Sequence, residues 1–176
     1  DEEMILRDTV IEVDLDRIAG NMRAIKAMVG EKTAVAGVVK ADGYGHGAVG
    51  IAKTLMENGA TLLAVATLSE AIELKEAYPD YPVLIMGLTP DRLLSVVADY
   101  GIIQTIDTLH QAEILNELAH KRGKKAVIHI KLDTGFHRLG FPDTENGIKE
   151  IVSVCRLPWI EAKGIYTHLV LKDDES

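Results

Sequence analysis

Cysteine, aromatic side chains and long apolar runs are all scarce in this chain of 176 residues. The lone cysteine, Cys155, excludes a disulfide framework within the chain and suits a reducing compartment. It follows an apolar helical stretch, so it is read as a buried small hydrophobe rather than a nucleophile. Aromatics make up 5 % of the residues, too few for a base-stacking platform. An excess of positive charge is missing as well. The formal net charge is −8, with lysines and arginines scattered, which argues against nucleic acid or an anionic membrane as partner. No apolar run approaches the roughly 20 residues that cross a bilayer. The start, Asp1-Glu2-Glu3, is acidic, the opposite of a secretory signal. The expectation is a cytoplasmic protein with an ordinary core, since apolar residues make up 47 % of the chain.

What the chain does have is alternation. Short apolar runs read as buried strands: Thr33–Lys40, Leu62–Ala66, Val83–Met86, Ile102–Ile106, Ala126–Leu132 and Ala162–Thr167. Helical spacing fills most of the gaps. Leu15, Ile18, Met22 and Ile25 form one stripe, with Asp14 or Asp16 as N-cap. Ile51, Ala52, Leu55 and Met56 form a second, ended by Gly59. Thr67 with Glu70, and Thr108 with Gln111, read as capping boxes. Gly123 stops the latter helix, and Ile148, Ile151 and Val152 mark the last one.

Apolar strands alternating with helices imply a parallel sheet covered by helices. An open doubly wound sheet and a closed (β/α)8 barrel of the TIM type both satisfy the pattern. No G-x-G-x-x-G follows the first strand, which weakens the dinucleotide form of the open sheet. Six strands are legible where a barrel needs eight, and the chain stops at Asp173-Asp174-Glu175-Ser176 with no helix after the sixth. It reads as an incomplete barrel. Thr9–Val13 is either an extended lead-in or a strand of a separate module.

Three strand ends carry the chemistry. Lys40 closes an apolar strand and is followed by Ala41-Asp42-Gly43-Tyr44-Gly45-His46-Gly47. A lysine at the mouth of the sheet, partly desolvated, loses some preference for the charged form, and a neutral amine can condense with an aldehyde cofactor. The plainer reading is a solvated lysine before a flexible turn. After the fifth strand comes Lys131-Leu132-Asp133-Thr134-Gly135-Phe136-His137-Arg138-Leu139-Gly140. There Arg138 can fold over the mouth and grip an anion, or make a surface ion pair. Lys131 alternates with His129 and either faces the core, where it needs a partner or a modification, or snorkels outward. His168 ends the sixth strand, where it either stacks on a ligand or serves structure alone. His110, His120 and His137 read as solvated. No grouping has metal-ligand spacing, and no Ser–His–Asp arrangement stands out.

At these residues the chain resembles a known family. Val39-Lys40-Ala41-Asp42-Gly43-Tyr44-Gly45-His46-Gly47 is similar to the cofactor-lysine signature of alanine racemases. The segment Lys131–Gly140 resembles their arginine segment, and Gly164-Ile165-Tyr166-Thr167-His168 their following strand. The similarity covers nearly the whole chain. It implies the N-terminal part of a pyridoxal 5′-phosphate barrel over residues 1–176, followed by a mostly β domain, with residues 1–13 a lead-in that pairs with that domain. It further implies racemisation of L- and D-alanine in a homodimer, supplying D-alanine for the bacterial cell wall.

By the same resemblance, Lys40 carries the cofactor and acts as one of two bases, and Tyr44 bonds the phosphate. Arg138 contacts the phenolic oxygen and the substrate carboxylate, and His168 packs on the pyridine ring. Lys131 matches a lysine that is often carbamylated. Phe136 stands where many members carry methionine, beside the substrate, so serine or a basic amino acid is an alternative substrate. A non-catalytic carrier of pyridoxal phosphate is the alternative outside the enzymes. The second base is expected from the partner subunit's C-terminal domain.

Overall fold

The computed structural model describes residues 9–170. The acidic start, the first part of the lead-in and the Asp173–Ser176 end lie outside the described residues. Residues 9–13 join no strand, and α1 (Leu15–Val29) follows, with the Asp14 carboxylate accepting from Arg17 N at 3.1 Å.

Seven parallel strands come next: β1 (Val35–Val38), β2 (Ala60–Val65), β3 (Val83–Ile85), β4 (Ile103–Ile106), β5 (Ala126–Asp133), the two-residue β6 (Phe141–Pro142) and β7 (Ile160–Tyr166). Between them run α2 (Lys40–Tyr44), α3 (Ala48–Glu57), α4 (Leu68–Ala77), α5 (Leu94–Tyr100), α6 (Leu109–Arg122) and α7 (Glu145–Cys155). The main sheet runs β1-β2-β3-β4-β5-β7, and β6 pairs the last residues of β5.

That order decides between the two architectures. A doubly wound sheet reverses its strand order at a switch point; here each strand adds to the same growing edge. The sheet also curls. Tyr166 on β7 is separated from β3 by β4 and β5, yet its hydroxyl lies 3.4 Å from the Met86 carbonyl just past β3. A flat sheet, with strands about 4.8 Å apart, holds those positions too far apart for a single side chain. The chain is therefore a curled parallel half-barrel of six strands plus the β6 stub.

The core lies between sheet and helices, where Leu63, Ile85, Leu94, Ile106, Leu115, Ile128 and Phe141 are fully buried. Two sequence expectations are corrected here. Cys155 is exposed, because Val154 takes the inward position at the end of α7. Ile148 and Val152 of the same helix face outward too, leaving Ile151 and Val154 as its inner stripe. Helix α5, preceded by a 3-10 turn at Asp91–Leu93, had no signature in the sequence. It is short, contains Val96 and Val97, and starts without a side-chain cap.

Candidate active site

Lys40, Tyr44, Lys131, Arg138 and His168 all lie at or just past the C-terminal ends of the strands. A cavity of about 380 Å³ opens there, and Lys40, Tyr44, Lys131, Arg138 and His168 all line it, with Val38, Ala66, Met86, Gly87, Leu139 and Tyr166. Residues 40 and 168, far apart in sequence and at opposite ends of the sheet, border one cavity because the sheet is curled.

Lys40 owes its place to an unusual backbone. The chain leaves β1 and turns left-handed: Ala41 (φ 52, ψ 50), Asp42 (φ 53, ψ 46), Gly43 (φ 63, ψ 35) and Tyr44 (φ 56) are consecutive. For non-glycine residues this conformation costs about 1 kcal/mol or more each, and it persists only where the surroundings impose it. The imposing contacts are visible. The Asp42 carboxylate accepts from Ala48 N at 2.7 Å, at the start of α3. Gly43 N donates to Val39 O at 2.8 Å and Gly47 N to Asp42 O at 2.9 Å. Glu70, at the start of α4, accepts from Ala41 N through Oε1 at 2.8 Å. Its Oε2 accepts from Ala66 N at 2.8 Å and Thr67 N at 3.1 Å. Burial works to raise the pKa of this carboxyl. Its donors (Ala41, Ala66 and Thr67 N–H, with the Thr67 hydroxyl) outweigh burial and hold it below the ordinary glutamate range.

Across the cavity, Lys131 is 4 % exposed, so its side chain faces inward rather than snorkelling. Its Nζ donates to Leu132 O at 2.8 Å and sits 5.7 Å from the centre of the Tyr166 ring. Burial pushes this amine below the ordinary lysine range; the Arg138 charge adds to the shift and Asp133 opposes it. Tyr166 is held in turn, its hydroxyl 2.8 Å from Thr105 Oγ1. Burial raises its phenol above the usual value, against smaller opposite effects of Thr105 and Arg138.

Arg138 rides on a loop built by local bonds. The Asp133 carboxylate accepts from Gly135 N and His137 N, each at 3.0 Å. The loop then returns to β5 at Gly140, where a Cβ would lie 2.6 Å from Asp133 N, so only glycine fits. Phe136 is not among the residues lining the cavity. Its ring meets His168 edge-on at 4.7 Å, and the Arg138 guanidinium lies 4.6 Å from the ring centre. One hydroxyl pair, Thr134 Oγ1 with Thr167 Oγ1 at 2.7 Å, joins this loop to the end of β7.

Two residues of the site escaped the sequence reading. Tyr166 lies within the strand run Ala162–Thr167, where the sequence assigns it no role. Glu70 was legible as a capping residue, and the box with Thr67 is formed. Its reach to Ala41, 29 residues earlier, left no trace in spacing.

A curled parallel sheet with a lysine, an arginine and a histidine gathered at its C-terminal mouth is the architecture of a barrel enzyme. The family described as "Alanine racemase, N-terminal domain" matches residues 13–176. The chain is 44 % identical over 173 residues to an alanine racemase of Clostridium perfringens, covering 98 % of this chain and 45 % of that one. It is 43 % identical over 170 residues to alanine racemase 2 of Caldanaerobacter subterraneus, covering 97 % and 44 %. The crystal structure of alanine racemase from Bacillus anthracis with bound L-Ala-P superposes with a TM-score of 0.87 at 32 % identity, over 99 % of this chain and 45 % of that one. Alanine racemase of Clostridium difficile 630 in complex with cycloserine gives a TM-score of 0.82 at 36 % identity, over 88 % and 42 %. This chain belongs to the alanine racemase family. It spans a little under half the length of the curated relatives it matches.

Proposed function

We propose that this chain forms the lysine-bearing part of a pyridoxal 5′-phosphate-dependent alanine racemase that interconverts L- and D-alanine. The observation that carries the reading is the convergence of Lys40, Tyr44, Lys131, Arg138 and His168 on one cavity. The residues fit the cofactor. A half-buried primary amine suits an aldehyde, a phenol and a guanidinium suit anionic oxygens, an imidazole suits an aromatic face, and the volume falls in the range of small-molecule sites. When bound, pyridoxal 5′-phosphate supplies a conjugated system that accommodates the electron pair left on Cα as its proton departs.

The chain's own residues do the rest. Lys40 Nζ would hold the cofactor through its aldehyde carbon and would take or return the Cα proton of the substrate on one face. The Tyr44 hydroxyl would donate to the phosphate. Arg138 would offer its planar fork to the phenolic oxygen and the substrate carboxylate. His168 would pack against the ring. Lys131, inward-facing and short of its ordinary basicity, is the group to carry a carbamate; the resulting anion would pair with Arg138. A base on the opposite face comes from outside this chain, from a partner subunit in a homodimer. The product serves bacterial cell-wall synthesis in the cytoplasm. Phe136, turned against His168 and Arg138, would act on substrate through them.

The test uses the full-length dimer. Borohydride reduction after loading with pyridoxal 5′-phosphate should leave the pyridoxyl group on Lys40 by peptide mapping. Lys40→Ala should lower L- to D-alanine conversion by at least about 100-fold. A trapped group elsewhere overturns the proposal. Colour without turnover in the wild-type protein favours the carrier instead.

A further inference from the structure

We infer that Glu70 is a positioning residue for Lys40, locking the left-handed turn that aims the amine into the cavity. The inference rests on the role proposed for Lys40, but its basis is separate. Lys40 sits between a strand end and four successive left-handed residues, a path no backbone follows unaided. The first of those residues, Ala41, has its N–H bonded to Glu70 Oε1. The other oxygen of the same carboxylate holds Ala66 N, at the end of the neighbouring strand, and Thr67 N. One side chain therefore ties the exits of β1 and β2 to the start of α4. Ala66 also lines the cavity, so the clamp ties the residue after Lys40 to the adjoining wall.

A carboxylate is the right group for this, because both oxygens accept and neither donates. An amide has one accepting oxygen and a donating NH2. In Glu70→Gln either the Ala41 N–H or the Ala66 and Thr67 N–H groups would face a donor. The neighbouring hydroxyl supplies a control. Thr67→Ala removes the side-chain cap of α4 but leaves every backbone N–H that Glu70 holds.

The measurement is the rate at which full-length apoprotein captures pyridoxal 5′-phosphate. In that reaction the Lys40 nitrogen bonds to the aldehyde carbon and water leaves. Borohydride quenching at intervals and peptide mapping follow it, with thermal unfolding of the apoprotein in parallel. Glu70→Gln should capture the aldehyde more slowly by on the order of tenfold or more. Thr67→Ala, even with a similar loss of thermal stability, should capture it at the wild-type rate. Equal rates for Glu70→Gln and wild type overturn the inference. So does equal slowing by Thr67→Ala, which would reduce Glu70 to a helix cap. Absence of any pyridoxyl group on Lys40 in the wild type instead fails the reading of Lys40 itself, and this one with it. Should Glu70→Gln not fold, hydrogen exchange in the wild-type apoprotein decides. The Ala41 amide should exchange more slowly than in an unfolded peptide, and unprotected exchange there sinks the clamp.

Discussion

Lys131 has almost no contact with solvent, and burial favours its neutral amine. Between its lowered folded value and the ordinary lysine value, the unfolded chain binds more protons than the folded one. Stability therefore rises with pH across that window, and the full penalty applies below it. The neutral amine is also the form that adds carbon dioxide, releasing a proton as the carbamate forms. Labelling the full-length protein with 13C-bicarbonate should give a carbamate resonance that strengthens as pH rises and is absent in Lys131→Met. A wild-type spectrum without that resonance removes the anion proposed beside Arg138. The sequence could flag Lys131 as odd, since it sits among apolar strand residues. It could not decide between facing inward and snorkelling, because alternation along β5 fixes a face and not which face is the concave one.

Spacing revealed most of the elements and missed what depended on distant partners. Both capping boxes illustrate the limit. At Thr67 the box closes, whereas at Thr108 only half of it forms. The Thr108 side chain accepts from Gln111 N at 3.4 Å, but Gln111 Nε2 turns inward and donates to Thr89 O at 3.1 Å. A residue 22 positions earlier has outcompeted the local partner. Thr108→Ala should therefore cost about 1 kcal/mol in chemical denaturation. Gln111→Glu, which a local reading would recommend, should destabilise by about 1–3 kcal/mol, because it sets a carboxylate against a carbonyl. A stabilised Gln111→Glu variant would show that the box had closed. Left-handed α2 and uncapped α5 were invisible for related reasons. One is imposed by the bond from Ala48 N of α3 to the Asp42 carboxylate and by Glu70 of α4, and the other is held by packing of Leu94 and Val97.

On the scale of the molecule, alternation made a helix-covered parallel sheet legible, while strand order, curl and the convergence of the rim needed the fold. Among the described residues no strand pairs the outer edges of β1 and β7, and exposed apolar side chains lie on β7 (Ile165, 58 %) and α7 (Ile148, 54 %). Expressed alone, residues 1–176 should self-associate with rising concentration in sedimentation velocity, and should lack alanine racemisation for want of a second base. A monodisperse, active fragment would contradict both expectations. The hydroxyl pair between Thr134 and Thr167 has its own consequence at this scale. With Phe136 between Arg138 and His168, it links two segments that follow different strands. A molecule that displaced the guanidinium would press on Phe136 and, through that ring, on the imidazole.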